Sequence, residues 1–177
     1  MVDLTSEMAG LWTALGPAPP HRGRVIQMVS ARSGEGASTV AREFARLCAV
    51  RARKPVWLID ADLEAQAQAA QINADPARYG RLGDAASASP DGSAFYVVNP
   101  ELRDRAGRKA ADARLLSARP CLGGRLWVTH FRADVLKAGQ HARVTPVATY
   151  WDALRRHADT VVVDSPAGDR SDTAVTL

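Results

Sequence analysis

The sequence predicts an α/β protein with a doubly wound, mainly parallel sheet, and three observations carry that prediction. Short apolar runs alternate with segments whose apolar residues recur at helical spacing, the order that parallel pairing requires. Two of the runs, Pro55 to Asp60 and Thr160 to Asp164, read as buried strands that end in an acid. Between Val25 and Thr39 a strand, a glycine turn and a helix start follow one another directly.

The elements come in this order. Thr5, Ser6 and Glu7 open an amphipathic helix over 5–15 that carries Leu11, Trp12 and Leu15, and Gly16-Pro17-Ala18-Pro19-Pro20 ends it. Residues 1–20 are therefore expected to form a helical arm, and 21–177 the α/β domain. Val25 to Ser30 is the first strand. Val40, Phe44, Leu47, Cys48 and Arg51 recur at helical spacing, which predicts a helix over 37–53 with Val40, Phe44, Leu47 and Cys48 buried. Pro55 to Asp60 follows as the second strand.

The signal weakens over 64–123, which is read as a variable excursion. Gln66, Gln68 and Gln71 suggest a polar helix, Ala85 to Ser93 a small-residue linker, and Phe95 to Val98 a short strand before Asn99-Pro100. Residues 101–123 are charged and unpatterned, as in a surface excursion. Arg125 to Phe131 is the next strand, and a helix from Thr149 to His157 runs into Thr160 to Asp164. With the glycine-turn strand in its middle, such a sheet would normally continue for two or three strands more. The expectation is a fragment, or an edge that a partner completes.

At 177 residues and 46% hydrophobic content the chain can bury one core and has no room for two full domains. Its 23 basic and 19 acidic residues leave +4, but 20 of the basics are scattered arginines, read as compositional bias, so no nucleic-acid partner is expected. Two cysteines, Cys48 in a helix and Cys121 in a loop, make no disulfide framework and fit a reducing cytoplasm. Met1 to Pro20 lacks the pattern of a leader, and no run of about 18 apolar residues occurs. With no transmembrane segment expected, a place at the inner membrane would be peripheral and come through a partner.

Ser33-Gly34-Glu35-Gly36 as a turn and Ser38-Thr39 as a helix start form the P-loop arrangement, in which backbone N–H groups at a helix N-terminus cradle phosphates. Arg32 through Thr39 are the nucleotide-binding candidates. The standard loop places a lysine between the second glycine and the hydroxyl residue, where it reaches the β- and γ-phosphates; here that position is Ala37, and a methyl group cannot replace the ammonium. Asp60 and Asp62 end one strand, where both carboxylates can face the crevice above the sheet, and Asp164 ends another. With the Ser38 hydroxyl they form the candidate Mg²⁺ set, since that ion prefers oxygen ligands and keeps several waters. The same three acids are the candidate catalytic residues.

Ser30 to Thr39, Ile59-Asp60-Ala61-Asp62-Leu63 and Val162-Val163-Asp164-Ser165-Pro166 resemble the Walker A, Walker A′ and Walker B motifs of the bacterial tyrosine kinases of capsule and exopolysaccharide synthesis, relatives of the MinD/ParA ATPases. The resemblance covers about residues 5 to 168. It implies a MinD-like P-loop NTPase fold, ATP or ADP with Mg²⁺ as ligands, and a polysaccharide co-polymerase or export protein of the membrane as partner. Those kinases carry a Glu and two Arg at three-residue intervals in the arm for subunit contact. The matching positions are Glu7, Gly10 and Thr13, which removes both arginines and leaves a homodimer rather than a ring as the oligomer to consider. The family's tyrosine-rich tail is also missing; Tyr79, Tyr96 and Tyr150 are isolated and internal, as packing residues are. Arg32 stands at the family's second, signature lysine, which reaches a partner's nucleotide across the dimer.

Losing one charge-assisted contact costs about 1.5–3 kcal/mol in binding, and losing an electrostatic stabiliser of the transition state about 10²–10³ in rate. The first reading is therefore a degenerate P-loop regulator of exopolysaccharide synthesis or export, in a cavity without its cation. An active ATPase or tyrosine kinase using Arg32 or a partner's cation is the second, a nucleotide-independent docking module the third, and a DNA-riding partitioning protein the fourth. His21, His130, His141 and His157 lie far apart without metal-ligand spacing. Trp57, Trp127 and Trp151 fall in core elements and are read as packing.

Overall fold

Helix α1, Thr5–Leu15, forms where its cap and apolar stripe predict it, but it does not stand away from the domain. In the computed structural model, which describes residues 3–19 and 21–177, its Met8 is buried with Phe44 and Leu47 of helix α2, Ala37–Arg51. The Arg51 guanidinium covers the Trp12 ring at 5.0 Å. The expected arm thus lies on α2; Met1, Val2 and Pro20, which belong to the same 1–20 stretch, lie outside the described residues.

Strand β1 is Arg24–Met28 and β2 is Val56–Asp60; two short helices follow, α3 (Ala67–Ala74) and α4 (Pro76–Tyr79). Then come β3 (Ala86–Ser87), β4 (Tyr96–Asn99), β5 (Leu116–Cys121), β6 (Leu126–Phe131) and β7 (His141–Val144). Helix α5 (Ala148–His157), β8 (Thr160–Asp164) and α6 (Thr173–Thr176) complete the chain. Six strands form one mixed sheet in the order β1-β8-β2-β6-β5-β3, parallel from β1 to β6 and antiparallel from β6 to β3. The fold is α/β with a mostly parallel sheet, as expected.

Alternation along the central strands divides the core in two. Trp57, Ile59, Val161 and Val163 face the side covered by α5 and by a small antiparallel sheet of β4 and β7. Val56, Leu58 and Val162 face α2, α1 and α3 on the other. Trp57 stacks on Trp127 with centroids 5.5 Å apart, and Tyr96 and Tyr150 are fully buried, so these aromatics pack as expected.

The strand before the glycine turn is at the sheet's edge, in keeping with the expectation of an unfinished edge: β8 inserts between β1 and β2, and Val25 and Val29 remain 37% and 53% exposed. Three other expectations need correction. Residues 101–123 are not all surface excursion, because β5 joins the main sheet beside β6, and Cys121 is the buried end of that strand rather than a loop residue. Ser117, Arg119 and Pro120 interrupt the apolar pattern of β5, which hides it from a periodicity reading. Strand β7 pairs with β4 in a second sheet, and neither that sheet nor β3 inside the expected linker 85–93 was foreseen.

Helix α2 buries Phe44, Leu47 and Cys48 as predicted, leaves Val40 half-buried, and also buries Glu43. That carboxylate accepts from Arg78 Nε and Nη2, from Arg46 Nε and from the Tyr79 hydroxyl. Burial alone would push Glu43 up; the hydrogen bonds from Arg78, Tyr79 and Arg46 outweigh it and hold the carboxyl below its ordinary value. The network pins α4 to α2.

Candidate functional site

Register brings the acids to one end of the sheet. In the parallel pairing Met28 lies opposite Asp164, and Asp164 opposite Asp60, so the glycine turn and both acids share the carboxyl edge of three adjacent strands. That edge is where open α/β sheets form their crevice.

The turn is built by Gly34 and Gly36, at φ +86° and +88°, values that a side chain would strain. It delivers the chain into α2, whose first turn has no side-chain cap. Among the described residues, the backbone N–H groups from Gly34 to Thr39 meet no protein acceptor. The earlier limb of the turn is different: Ala31 and Arg32 N–H donate to Glu35 Oε2 at 3.0 and 3.1 Å. Ser33 N–H and Oγ donate to the Asp169 carboxylate at 3.1 Å. Two of the protein's own carboxylates thus satisfy the outer limb, while the inner limb presents open donors at the positive end of a 15-residue helix.

A cavity of about 320 Å³ lies before those donors, lined by the turn, Ser38, Thr39, Asp62 and the segment after β8. Its size falls at the low end of small-molecule sites. Ala37 lines it, as expected, while Arg32 and Glu35 do not.

A guanidinium is nevertheless present. Arg170 lines the cavity and holds Asp62 Oδ2 at 2.8 Å, with side-chain exposures of 43% and 14%. The first reading's cavity without a cation is therefore corrected, and Arg32, the substitute cation of the second reading, is not among the residues that line it. Hydrogen bonds from Gly168 N–H to Ser30 and from Asp169 N–H to Ala31 lay the segment carrying Arg170 along the turn. A weak hint of it lies in the order of elements, since loops after neighbouring parallel strands converge at one edge.

The three acids are not equivalent. Asp164 is 3% exposed; its Oδ1 accepts from Ser38 Oγ at 3.1 Å and its Oδ2 from Gln68 Nε2 at 2.6 Å. Burial pushes this carboxyl above its ordinary value against those two hydrogen bonds. Asp60, 1% exposed, does not face the crevice: its oxygens accept the N–H groups of Asp62 and Gln68, at 3.2 and 2.9 Å. Burial, with the nearby Asp164 charge, pushes it up to about 7. Asp62 is the acid that reaches the cavity, its Oδ1 accepting from Ala65 N–H at 3.0 Å.

Gln68, expected only as one residue of a polar helix, is fully buried at the centre of this arrangement. Its amide donates to Asp164 and to the Ser38 carbonyl, and its Oε1 accepts from Arg42. Nothing in its neighbours Gln66 and Gln71 distinguishes it.

The residues present fit a phosphate group: open N–H donors, two left-handed glycines and an adjacent cation. They fit Mg²⁺ less fully. Ser38 and Asp164 are in contact, but Asp60 is turned away, and among the described residues no three His, Cys, Asp or Glu side chains gather as a metal-ion group. Among the described residues no helix is long and apolar enough to cross a membrane. Compared with known proteins, the chain matches no family model, no curated protein and no solved structure.

Proposed function

We propose that this chain binds the phosphates of ATP or ADP on its glycine loop and regulates exopolysaccharide or capsule synthesis or export, as a degenerate relative of the MinD/ParA-type tyrosine kinases. The observation that carries the nucleotide reading is the run of open N–H groups from Gly34 to Thr39 beside the Ser38–Asp164 pair. Gly36, Ala37 and Ser38 N–H groups would hold the phosphate oxygens. Ser38 Oγ and, through water, Asp164 would hold Mg²⁺, which when bound neutralises phosphate charge. Ala37 offers no charge to the transferring phosphoryl group, and Arg170 is engaged by Asp62. Binding without efficient transfer follows. The link to polysaccharide rests on the motif forms alone, with the protein at the cytoplasmic face of a membrane partner.

Isothermal titration with ADP and ATP, with and without Mg²⁺, paired with a phosphate-release assay, tests this reading. Binding with negligible release is the expected result. No binding at millimolar nucleotide, or rapid release, sinks it.

A second reading has its own observation. Arg170 lies in the cavity where Arg32 does not, so an active ATPase would draw its cation from there. In that case wild type releases phosphate, and Arg170→Ala abolishes release while leaving ADP affinity within a few-fold.

A further inference from the structure

The charge of this protein is gathered at a second concavity, away from the glycine loop. A cavity of about 590 Å³ lies between the 102–115 segment and the loop after β6. Six cations line it, Arg103, Arg105, Arg108, Arg114, Arg132 and Lys137, against the single carboxylate of Asp104. Six against one is a formal +5 in one pocket, beside +4 for the whole chain. The arginines that looked scattered in sequence converge in space.

The concavity is built rather than incidental. Asp104 Oδ1 accepts the N–H groups of Ala106 and Arg108 at 2.8 and 3.0 Å, which turns the segment back on itself. Ala110 N–H returns to the Leu102 carbonyl, and Arg132 N–H reaches the Leu115 carbonyl at 2.7 Å. Gln140 ties the opposite wall to the carbonyls of Pro100 and Glu101. Arg108 is paired with Asp104, and Arg103 lies 3.9 Å from Glu101. Arg105, Arg114, Arg132 and Lys137 make no ion pair with a carboxylate among the described residues, although the Asp104 carboxyl, held below its ordinary value first by the Arg108 N–H, is also lowered by the nearby Arg114. Leu102, Leu115 and Val135 add an apolar lining.

Four unpaired cations facing one space repel each other unless an anion enters it. Guanidinium forks match phosphate oxygens in pairs, and an apolar wall suits a ring or chain carried by the phosphate. A single bounded concavity fits a compact ligand better than the continuous track that a nucleic-acid backbone needs. We propose that this pocket is a binding site for a compact phosphate ester carrying at least two negative charges. Leu116 pairs with Phe131, so the pocket caps β5 and β6 at the same edge of the sheet as the glycine loop. The assignment does not depend on what that loop binds.

The test titrates inorganic pyrophosphate into the full chain at low salt, alongside flotation with phosphatidylcholine vesicles carrying phosphatidic acid. Removing both fork charges in Arg114→Ser/Arg132→Ser should weaken one pyrophosphate site at least about tenfold. Both side chains are exposed, so thermal melting should be unchanged, and Arg114→Lys/Arg132→Lys should restore part of the affinity. Arginine-dependent flotation without pyrophosphate binding assigns the phosphate to a lipid headgroup and supports the site; pyrophosphate binding without flotation assigns it to a free ester. Equal binding by wild type and the double serine variant overturns the proposal. So does loss confined to Gly36→Ala, which would place the anion on the glycine loop, and so does tighter binding of duplex DNA than of pyrophosphate in the same buffer.

Discussion

Arg170, in the lining of the glycine-loop cavity, holds Asp62 Oδ2 at 2.8 Å, so the cavity's guanidinium is neutralised by a carboxylate that the sequence assigned to a metal. With side chains 43% and 14% exposed, the pair is half in water, and its own contribution to stability is small. Its effect on an incoming anion is larger, because Asp62 both repels phosphate and withholds the guanidinium that lines the cavity. Asp62→Asn should therefore tighten ADP binding, measured without Mg²⁺, by roughly three- to tenfold, and Arg170→Ala should weaken it by a similar factor. Should Asp62→Asn weaken binding in the absence of metal, the pair does not gate the cavity.

Asp60 makes the fold sensitive to pH. Burial raises its folded value to about 7 from an ordinary 3.8, so the folded state binds the proton more tightly than the unfolded chain. The stabilisation this supplies is complete below the ordinary value and is lost as pH rises through about 7. Over about three pH units the loss approaches roughly 4 kcal/mol. Glu43 works in the opposite sense and lower down: its depressed value gives stability above 4.5 that is lost on acidification. Urea unfolding in EDTA between about pH 5 and pH 8 should show wild type losing stability with pH, and Asp60→Asn losing much less. Identical slopes would show that Asp60 is ionised throughout.

Gln68 is a support that the site cannot lose cheaply. Gln68→Leu keeps the volume but takes a donor from Asp164 and an acceptor from Arg42, leaving a buried carboxylate with the Ser38 bond alone. An unpaired buried polar group costs about 1–3 kcal/mol, and thermal melting should fall accordingly. A substitution without effect would mean that water replaces the amide in solution.

How legible this was in the sequence depends on what each residue answers to. Strands such as Thr160 to Asp164 and the helix carrying Phe44 and Leu47 announce themselves because burial on both faces, or on one stripe, fixes composition locally. The turn was legible for the same reason, since Gly34 and Gly36 are dictated by their own backbone angles. Strand β5 was not, because its pairing with β6 is decided by a neighbour, and Arg119 and Pro120 break its pattern. Asp60, Gln68 and Arg170 were misjudged or missed because their roles are set by partners: the Asp62 and Gln68 N–H groups, Asp164 and Asp62. Spacing placed Asp60 at the right strand end and could not tell which way its carboxylate turns.

Ala37 remains the residue on which the phosphate reading turns, and it offers the sharpest test. It lines the cavity at the first turn of α2, is half-buried, and follows Gly36, whose left-handed backbone aims the helix N-terminus at the same space. In Ala37→Lys the aliphatic stem can run along the cavity wall and deliver an ammonium to it. Two forces then compete. The new cation attracts phosphate by a charge-assisted contact of about 1.5–3 kcal/mol, and it also attracts Asp62, which already holds Arg170 at 2.8 Å. A carboxylate can accept from both, so the lysine is not fully neutralised. ADP affinity should rise about tenfold or more, and phosphate release, negligible before, should become measurable by a coupled assay. If Ala37→Lys leaves both unchanged while the protein melts normally, phosphates do not rest on this loop.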